Sequence, residues 1–114
     1  MNIEMIEGVP FARMPELLTL KTAPAVKTSL QECLASRGPN LVLDLTRVEL
    51  ADSSGLAAVL ACVRTAHDRN GTVVLMSPTP RVRALIELTR LDDVVDLVED
   101  STAALSRFPG ISAD

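Results

Sequence analysis

One short run, Asp52-Ser53-Ser54-Gly55, places two hydroxyls, a carboxylate and a glycine side by side. A serine hydroxyl can act as a nucleophile or accept a phosphate, and a neighbouring acid can orient either group. A serine nucleophile needs a base, and His67, the only histidine, lies 13 residues beyond Ser54 in the same predicted helix. At about 1.5 Å per residue the two side chains stand roughly 20 Å apart and cannot form a catalytic pair.

No other motif in the chain supports catalysis. The sequence contains no G-x-G-x-x-G, no Walker A loop, no H-E-x-x-H and no G-x-S-x-G. Paired carboxylates occur at Asp92-Asp93 and Glu99-Asp100, in turn-like segments where acids are common. No cluster of histidine and cysteine has the spacing of metal ligands. We therefore expect a protein that is not an enzyme and that uses no cofactor and no metal.

Composition and charge narrow the class of partner. The 114 residues predict a single domain over residues 1–114, with a frayed tail after about residue 109. The net charge of −4 argues against nucleic acid, because neutralising phosphates needs a basic face. The chain has no tryptophan, no tyrosine and only two phenylalanines, so it offers no platform on which bases could stack.

The sequence also predicts a cytoplasmic protein without a membrane span. The longest apolar run, Leu56 to Val63, is too short to cross a bilayer, and the N-terminus lacks the basic and apolar regions of a signal peptide. Cys33 and Cys62 each lie on or beside the apolar stripe of a predicted helix. We expect both to be buried thiols in a reducing compartment.

The elements around Asp52-Ser53-Ser54-Gly55, the DSSG motif, predict how it is positioned. A buried strand over Leu41–Leu45 leads through a loop to a helix from about Gly55 to Arg69. Apolar residues of that helix recur at i, i+3, i+4 and i+7, namely Leu56, Val59, Leu60 and Val63. The motif therefore stands at a helix start, where free backbone N–H groups favour anions. A simpler interpretation is that its acid or serines only cap the helix.

The rest of the chain predicts a hairpin followed by alternating helices and strands. The hairpin strands are Ile3–Ile6 and Val9–Met14, with Pro10 expected on an edge strand. The later elements are a helix capped by Thr22, the strand and helix described above, a strand over 72–76, a helix capped by Thr79, a strand over 94–98 and a helix from Asp100 through Phe108. This alternation predicts an α/β fold with a mixed, mostly parallel sheet of about five strands packed by about four helices.

The order of these segments resembles a STAS domain of the bacterial anti-sigma factor antagonist type. The resemblance covers most of the chain, and its most specific part is the match of Val48–Leu56 to the hallmark loop of the family. The other matching segments are Thr22–Pro24 at the first helix, Asn40–Leu45 at the third strand, Gly71–Leu75 at the next strand, Ser77–Val82 at the following helix start, and Leu85–Val94 at the late helix and turn.

The resemblance implies a switch protein. In the family, an anti-sigma factor that is also a serine kinase phosphorylates the second serine of the motif, which corresponds to Ser54, with Ser53 as the alternative acceptor. The unmodified antagonist binds the anti-sigma factor and frees the sigma factor for transcription. Phosphorylation ends that binding, and a PP2C-type phosphatase restores it. We expect a monomer or a weak dimer.

We expect the partner-binding surface to lie at Asp52, Ser53, Gly55, Glu49 and Arg81. One interpretation of Asp52 is that it orients the loop or the incoming kinase; the other is that it only caps the helix. Gly55 either leaves room for a partner backbone or suits the turn. Arg81 either steers the partner electrostatically or belongs to an ordinary solvated face.

The chain also departs from the family, and two alternatives stay open. Glu16-Leu17-Leu18-Thr19 stands where Gly-x-Leu-Asp is common, and Arg90 stands where a glycine is usual. One alternative is a STAS subunit of another assembly, a stressosome scaffold or a lipid-transport accessory, in which Ser54 is only a helix cap. The other is a small enzyme or nucleotide binder that uses the same loop.

Overall fold

The computed structural model describes residues 1–110, and its elements follow the predicted alternation. The strands are β1 Asn2–Ile6, β2 Val9–Arg13, β3 Leu17–Leu18, β4 Leu41–Asp44, β5 Leu50–Ala51, β6 Val73–Met76 and β7 Asp96–Val98. The helices are α1 Ala23–Arg37, α2 Ser53–Asp68, α3 Pro80–Leu88 and α4 Ser101–Leu105, with a 3-10 turn over Leu91–Asp93. None of the helices within residues 1–110 is long and apolar enough to cross a membrane. The tail predicted to be frayed includes positions 111–114, which lie outside the described residues.

The main sheet has five strands in the order β1-β2-β4-β6-β7. β1 is antiparallel to β2, and every other neighbouring pair is parallel, so the predicted mixed sheet with four helices is confirmed. Side chains alternate between its faces. Leu43 and Leu75 belong to the core beneath α1, α2 and α3, whereas Val42 and Val74 belong to the core that α4 and Phe108 cover.

The cysteines lie where the two central helices pack together. Cys33 on α1 and Cys62 on α2 are both buried free thiols, as predicted. Burial, together with a smaller effect of the neighbouring Cys33, raises the pKa of the Cys62 thiol to about 12, and burial also raises the pKa of Cys33. At neutral pH both therefore act as small apolar side chains rather than as nucleophiles.

Two local predictions are wrong. Pro10 lies in β2 between β1 and β4, not on an edge strand; it is tolerated because parallel pairing with β4 begins only at Phe11. Thr22 precedes α1, but its hydroxyl makes no cap to the helix. It donates instead to the Leu17 carbonyl at 2.7 Å and accepts from the Thr19 N–H at 3.0 Å, which closes the turn before the helix.

The last helix and last strand are shorter than expected. α4 ends at Leu105, and Phe108 packs against the sheet from the turn beyond it. β7 begins only at Asp96, because a 3-10 turn occupies the residues before it. Arg90, at the start of that turn, adopts the left-handed backbone at φ 62°. Glycine adopts that conformation more readily than other residues, which accounts for the glycine that the family resemblance leads one to expect here.

A small second sheet, missed by the sequence analysis, joins the connecting segment, residues 14–22 between β2 and α1, to the loop before α2. β3 and β5 pair in parallel, with Leu17 opposite Leu50 and Leu18 opposite Ala51. Each strand has only two residues, which is too short for any periodicity to be visible. The pairing places the connecting segment directly beside the DSSG motif.

Candidate functional site

Asp52 connects the start of α2 to the connecting segment through both carboxylate oxygens. Its Oδ1 accepts from the Gly55 N–H at 2.9 Å, which is a helix N-cap, and its Oδ2 accepts from the Leu20 N–H at 3.1 Å. Its own N–H donates to the Leu18 carbonyl at 3.1 Å. The predicted cap is therefore present, and the same side chain also holds a segment more than 30 residues earlier in the chain.

These hydrogen bonds keep Asp52 ionised. The bond from the Gly55 N–H has the largest effect and lowers the pKa of the Asp52 carboxyl below its usual value of 3.8. Desolvation opposes it with a smaller effect, and the bond from the Leu20 N–H lowers the pKa again. The side chain is thus an anion at neutral pH, with both oxygens occupied by the protein's own backbone. It holds the loop in place, which favours the positioning role over a role as a free acid.

Gly55 makes a close contact within the chain. A Cβ at this position would lie 1.9 Å from the Leu18 carbonyl oxygen and 2.5 Å from its carbon. Only glycine therefore lets the first turn of α2 pack on the backbone of β3. Gly55 is buried, so a direct partner contact there, as predicted from the sequence, would require this internal contact to open.

The two serines occupy the first two positions of α2 and differ in exposure. Ser53 is exposed and Ser54 is partly exposed. The hydrogen bonds within residues 1–110 include none from either hydroxyl, whereas Asp52 and Gly55 next to them are both engaged. Within the described residues, the oxygen of Ser54 is therefore neither buried in the apolar core nor held by a neighbour.

Two of the predicted partner-binding residues lie on the surface around the motif. Glu49 is exposed, and its N–H donates to the Glu16 carbonyl at 2.8 Å. Arg81 is exposed near the start of α3 and lines one shallow depression together with Ala51. The packing of α3 against β5 thus brings Arg81 beside the motif, although 29 residues separate Arg81 from Asp52 in the sequence.

The structure adds exposed leucines that the sequence analysis did not single out. Leu17 and Leu50 are cross-strand partners in the small sheet and are 47% and 45% exposed. Leu20, whose N–H binds Asp52, is 69% exposed. No sequence signal distinguishes them from core leucines, because the pairing that turns them outward involves distant segments. All three belong to the connecting segment or to the loop before α2, the two segments that meet at the DSSG motif.

Other charged groups are engaged elsewhere. Arg83 forms an ion pair with Glu99, and Arg90 forms one with Asp93 at 3.1 Å, so neither is directed at the motif. Within the part of the chain that the structure describes, no group of three or more histidine, cysteine, aspartate or glutamate side chains is placed to hold a metal ion.

Comparison with known proteins decides the family. A family model described as "Mlab, STAS domain" matches residues 16–99, which include most of the connecting segment, the DSSG motif and three of the five strands of the main sheet. The chain belongs to the STAS domain family. An anti-sigma-B factor antagonist of Listeria monocytogenes is 33% identical to this STAS domain over 76 residues, which is 67% of each chain.

Solved structures agree on the fold of this STAS domain. An anti-sigma factor antagonist of Mycobacterium paratuberculosis superposes with a TM-score of 0.85 at 28% identity, over 95% of this chain and 92% of that one. The antagonist SpoIIAA, solved in its unphosphorylated form, superposes with a TM-score of 0.71 at 19% identity, over 96% of this chain and 98% of that one. A SpoIIAA from Bacillus in its phosphorylated form gives the same TM-score at 18% identity, over 93% and 96% of the two chains.

Gly55→Ala is expected to lower the free energy of unfolding by about 2 kcal/mol or more, because the new methyl group would overlap the Leu18 backbone. Urea denaturation measures the loss. Gly110→Ala is the matched control, since a Cβ there meets nothing within 4 Å and should change stability little. Equal stability of the two variants would contradict the packing described here.

Asp52→Asn is expected to destabilise the protein at neutral pH and to cost progressively less as the solution becomes acidic. The folded-state pKa of Asp52 is lowered, so its charge stabilises the fold above the usual value of 3.8, and that contribution is lost as pH falls through the lower folded value. Thermal melts of both proteins from pH 7 to below pH 4 test this. A melting difference that stays constant or grows with acid would refute the assignment.

Proposed function

We propose that this STAS domain is an anti-sigma factor antagonist that binds its partner while Ser54 is unmodified and releases it when Ser54 is phosphorylated. The observation that carries the proposal is a partly exposed Ser54 hydroxyl at a helix start, which makes no hydrogen bond within residues 1–110. Asp52 and Gly55 on either side of the serines are hydrogen-bonded to each other. Support comes from the antagonist names of the Listeria and Mycobacterium relatives, and from SpoIIAA, which is described in unphosphorylated and phosphorylated forms.

A phosphate on Ser54 is compatible with an intact fold. It adds about −1.5 to −2 charges at neutral pH, and the first turn of a helix tolerates an anion because its free N–H groups and dipole face it. Asp52 keeps the loop closed through Gly55 and Leu20, and neither bond involves the Ser54 hydroxyl. The phosphate can therefore change the surface without displacing the residues that hold the loop.

The same phosphate would oppose docking. Asp52 is already ionised beside it, and Glu49 is exposed nearby in the loop. A partner that covers this surface must remove water from a dianion and bring its own acids near a cluster of negative charge. The unmodified surface has no such cost, since a neutral hydroxyl is easily desolvated if it gains a hydrogen bond.

The surface around Ser54 has the composition of a binding site for a protein. Exposed Leu17, Leu20 and Leu50 provide an apolar centre beside the serines, and Glu49 and Arg81 provide charges at its margin. Protein interfaces commonly combine an apolar core with a polar rim. We propose that the anti-sigma factor docks here and is itself the serine kinase, that a PP2C-type phosphatase reverses the modification, and that the STAS domain acts without catalysis.

A second candidate is a STAS subunit of another assembly in which Ser54 is never modified. One observation favours it: α4 begins with the same arrangement, in which Asp100 Oδ1 accepts from the Ala103 N–H at 2.8 Å and Ser101 is exposed. A capping acid followed by a serine is therefore not sufficient for a switch. The replacement of the usual Gly-x-Leu-Asp by Glu16–Thr19, directly beside the motif, also favours this alternative.

Incubation with a candidate anti-sigma factor kinase and ATP is expected to add one phosphate to Ser54, located by tandem mass spectrometry. Ser54→Ala should abolish the modification, whereas Ser53→Ala should retain it, because Ser54 corresponds to the acceptor serine of the family. A kinase that phosphorylates another antagonist but leaves this chain unmodified, or that modifies Ser53 alone, would count against the proposal and favour the second candidate.

Ser54→Asp is expected to keep a near-native melting temperature and to weaken binding of the anti-sigma factor about tenfold or more, because the added charge acts at the interface. Thr102→Asp is the matched control, since Thr102 is the exposed second residue of α4 and also follows an aspartate cap. Calorimetry and thermal melts measure both variants. Global unfolding of Ser54→Asp, or equal binding by both, would rule out an interfacial switch.

A further inference from the structure

A groove of about 560 Å³ lies on the other side of the connecting segment from the DSSG motif. It opens beyond the C-terminal ends of β2 and β4, the edge of a parallel sheet at which α/β proteins commonly bind ligands. Met14 and Val26 contribute buried apolar surface to its lining. Its volume is within the range of small-molecule sites.

The charges around this groove are opposite in sign to those of the whole chain. Arg13, Lys21 and Arg47 all line it, and Glu16 is the one acid among the lining residues, although the chain carries a net charge of −4. Among the ion pairs within residues 1–110, none involves Lys21 or Arg47, and Arg13 reaches Asp44 only at 3.9 Å. Lys21 and Arg47 are therefore two cations in the lining that form no ion pair within the described residues, against the single acid Glu16.

We propose that this groove binds a small molecule that carries a phosphate on a short aliphatic body. The two unpaired cations, Lys21 and Arg47, match the two charges of a phosphate dianion. An arginine guanidinium group can also donate two parallel hydrogen bonds to phosphate oxygen atoms. The apolar lining accommodates an aliphatic part. No aromatic side chain lines the groove, so nothing there would stack on a nucleobase.

Binding in the groove would act on the segment that holds the DSSG motif. Glu16 and Lys21 line the groove, yet the Glu16 carbonyl accepts from the Glu49 N–H at 2.8 Å, and the Leu20 N–H donates to Asp52. A ligand that contacts the connecting segment from the groove thus also stabilises these two hydrogen bonds, to the Glu16 carbonyl and to Asp52. The proposal concerns binding alone and does not depend on phosphorylation of Ser54.

Titration of the 15N-labelled protein with n-butyl phosphate at low salt tests the site. We expect backbone amide shifts at Arg13, Met14, Glu16, Lys21 and Arg47, and slower hydrogen exchange of the Leu20 and Glu49 amides. Inorganic phosphate should shift the same residues with lower affinity, whereas 1-butanol should not shift them. No shifts up to about 20 mM n-butyl phosphate, or shifts centred on Ser53 and the rest of the DSSG motif, would overturn the proposal.

Variants separate a specific site from general attraction of an anion. Lys21→Gln and Arg47→Gln should each weaken n-butyl phosphate binding about tenfold, the effect of losing a charged hydrogen bond. Lys27→Gln and Arg37→Gln are matched controls, because both side chains are exposed on α1 and neither lines the groove. Equal weakening by the controls, or none in the groove variants, would overturn the proposal.

Discussion

The backbone of Leu18 lies directly against the first turn of α2, and the arrangement around the DSSG motif depends on this contact. Gly55 permits it by having no side chain, since a Cβ would stand 1.9 Å from the Leu18 carbonyl oxygen. The same carbonyl accepts from the Asp52 N–H, and Asp52 in turn accepts from Leu20. Two segments distant in sequence are thus joined through backbone atoms and the Asp52 carboxylate, while the Leu17 and Leu20 side chains stay exposed.

Under the proposed switch, this division of roles lets one surface stay stable and also respond to phosphorylation. Asp52 and Gly55 hold the loop, whereas the Ser53 and Ser54 hydroxyls hold nothing in the part of the chain that the structure describes. The helix start at Asp100 has the same N-cap, but within residues 1–110 the Asp100 carboxylate accepts no hydrogen bond from a distant segment. What distinguishes the DSSG motif is therefore its tertiary support rather than its cap, and a charge added to Ser54 acts on that supported surface.

The connecting segment, residues 14–22, faces two environments. One side binds α2 and exposes Leu17 and Leu20 beside the serines; the other, at Glu16 and Lys21, borders the cationic groove. Here the chain departs from the usual Gly-x-Leu-Asp of its family. A segment joined to the rest mainly by backbone hydrogen bonds can accept such changes in side chain, because the pairing of β3 with β5 uses main-chain groups only.

Periodicity and capping residues were enough to predict the five-stranded sheet, the four helices and the place of the DSSG motif at a helix start. The continuous apolar run that forms β6 and the spacing of Leu56, Val59 and Val63 in α2 report directly on burial, and burial determines which elements can pack. The sequence also allowed Asp52 to be interpreted as a helix cap, because an N-cap involves only residues within one turn of the helix.

Pairing between distant segments carries no such local signal. All three of these features depend on how the connecting segment packs against α2 and the loop before it: the two-residue strands β3 and β5, the bond from Leu20 to Asp52 and the contact of Gly55 with Leu18. Exposure of a leucine such as Leu17 depends on the same docking. The amino-acid order thus specified the scaffold and the reactive group, whereas three-dimensional packing decided what holds that group and what surrounds it, since non-local contacts are set by the whole fold rather than by neighbours in the chain.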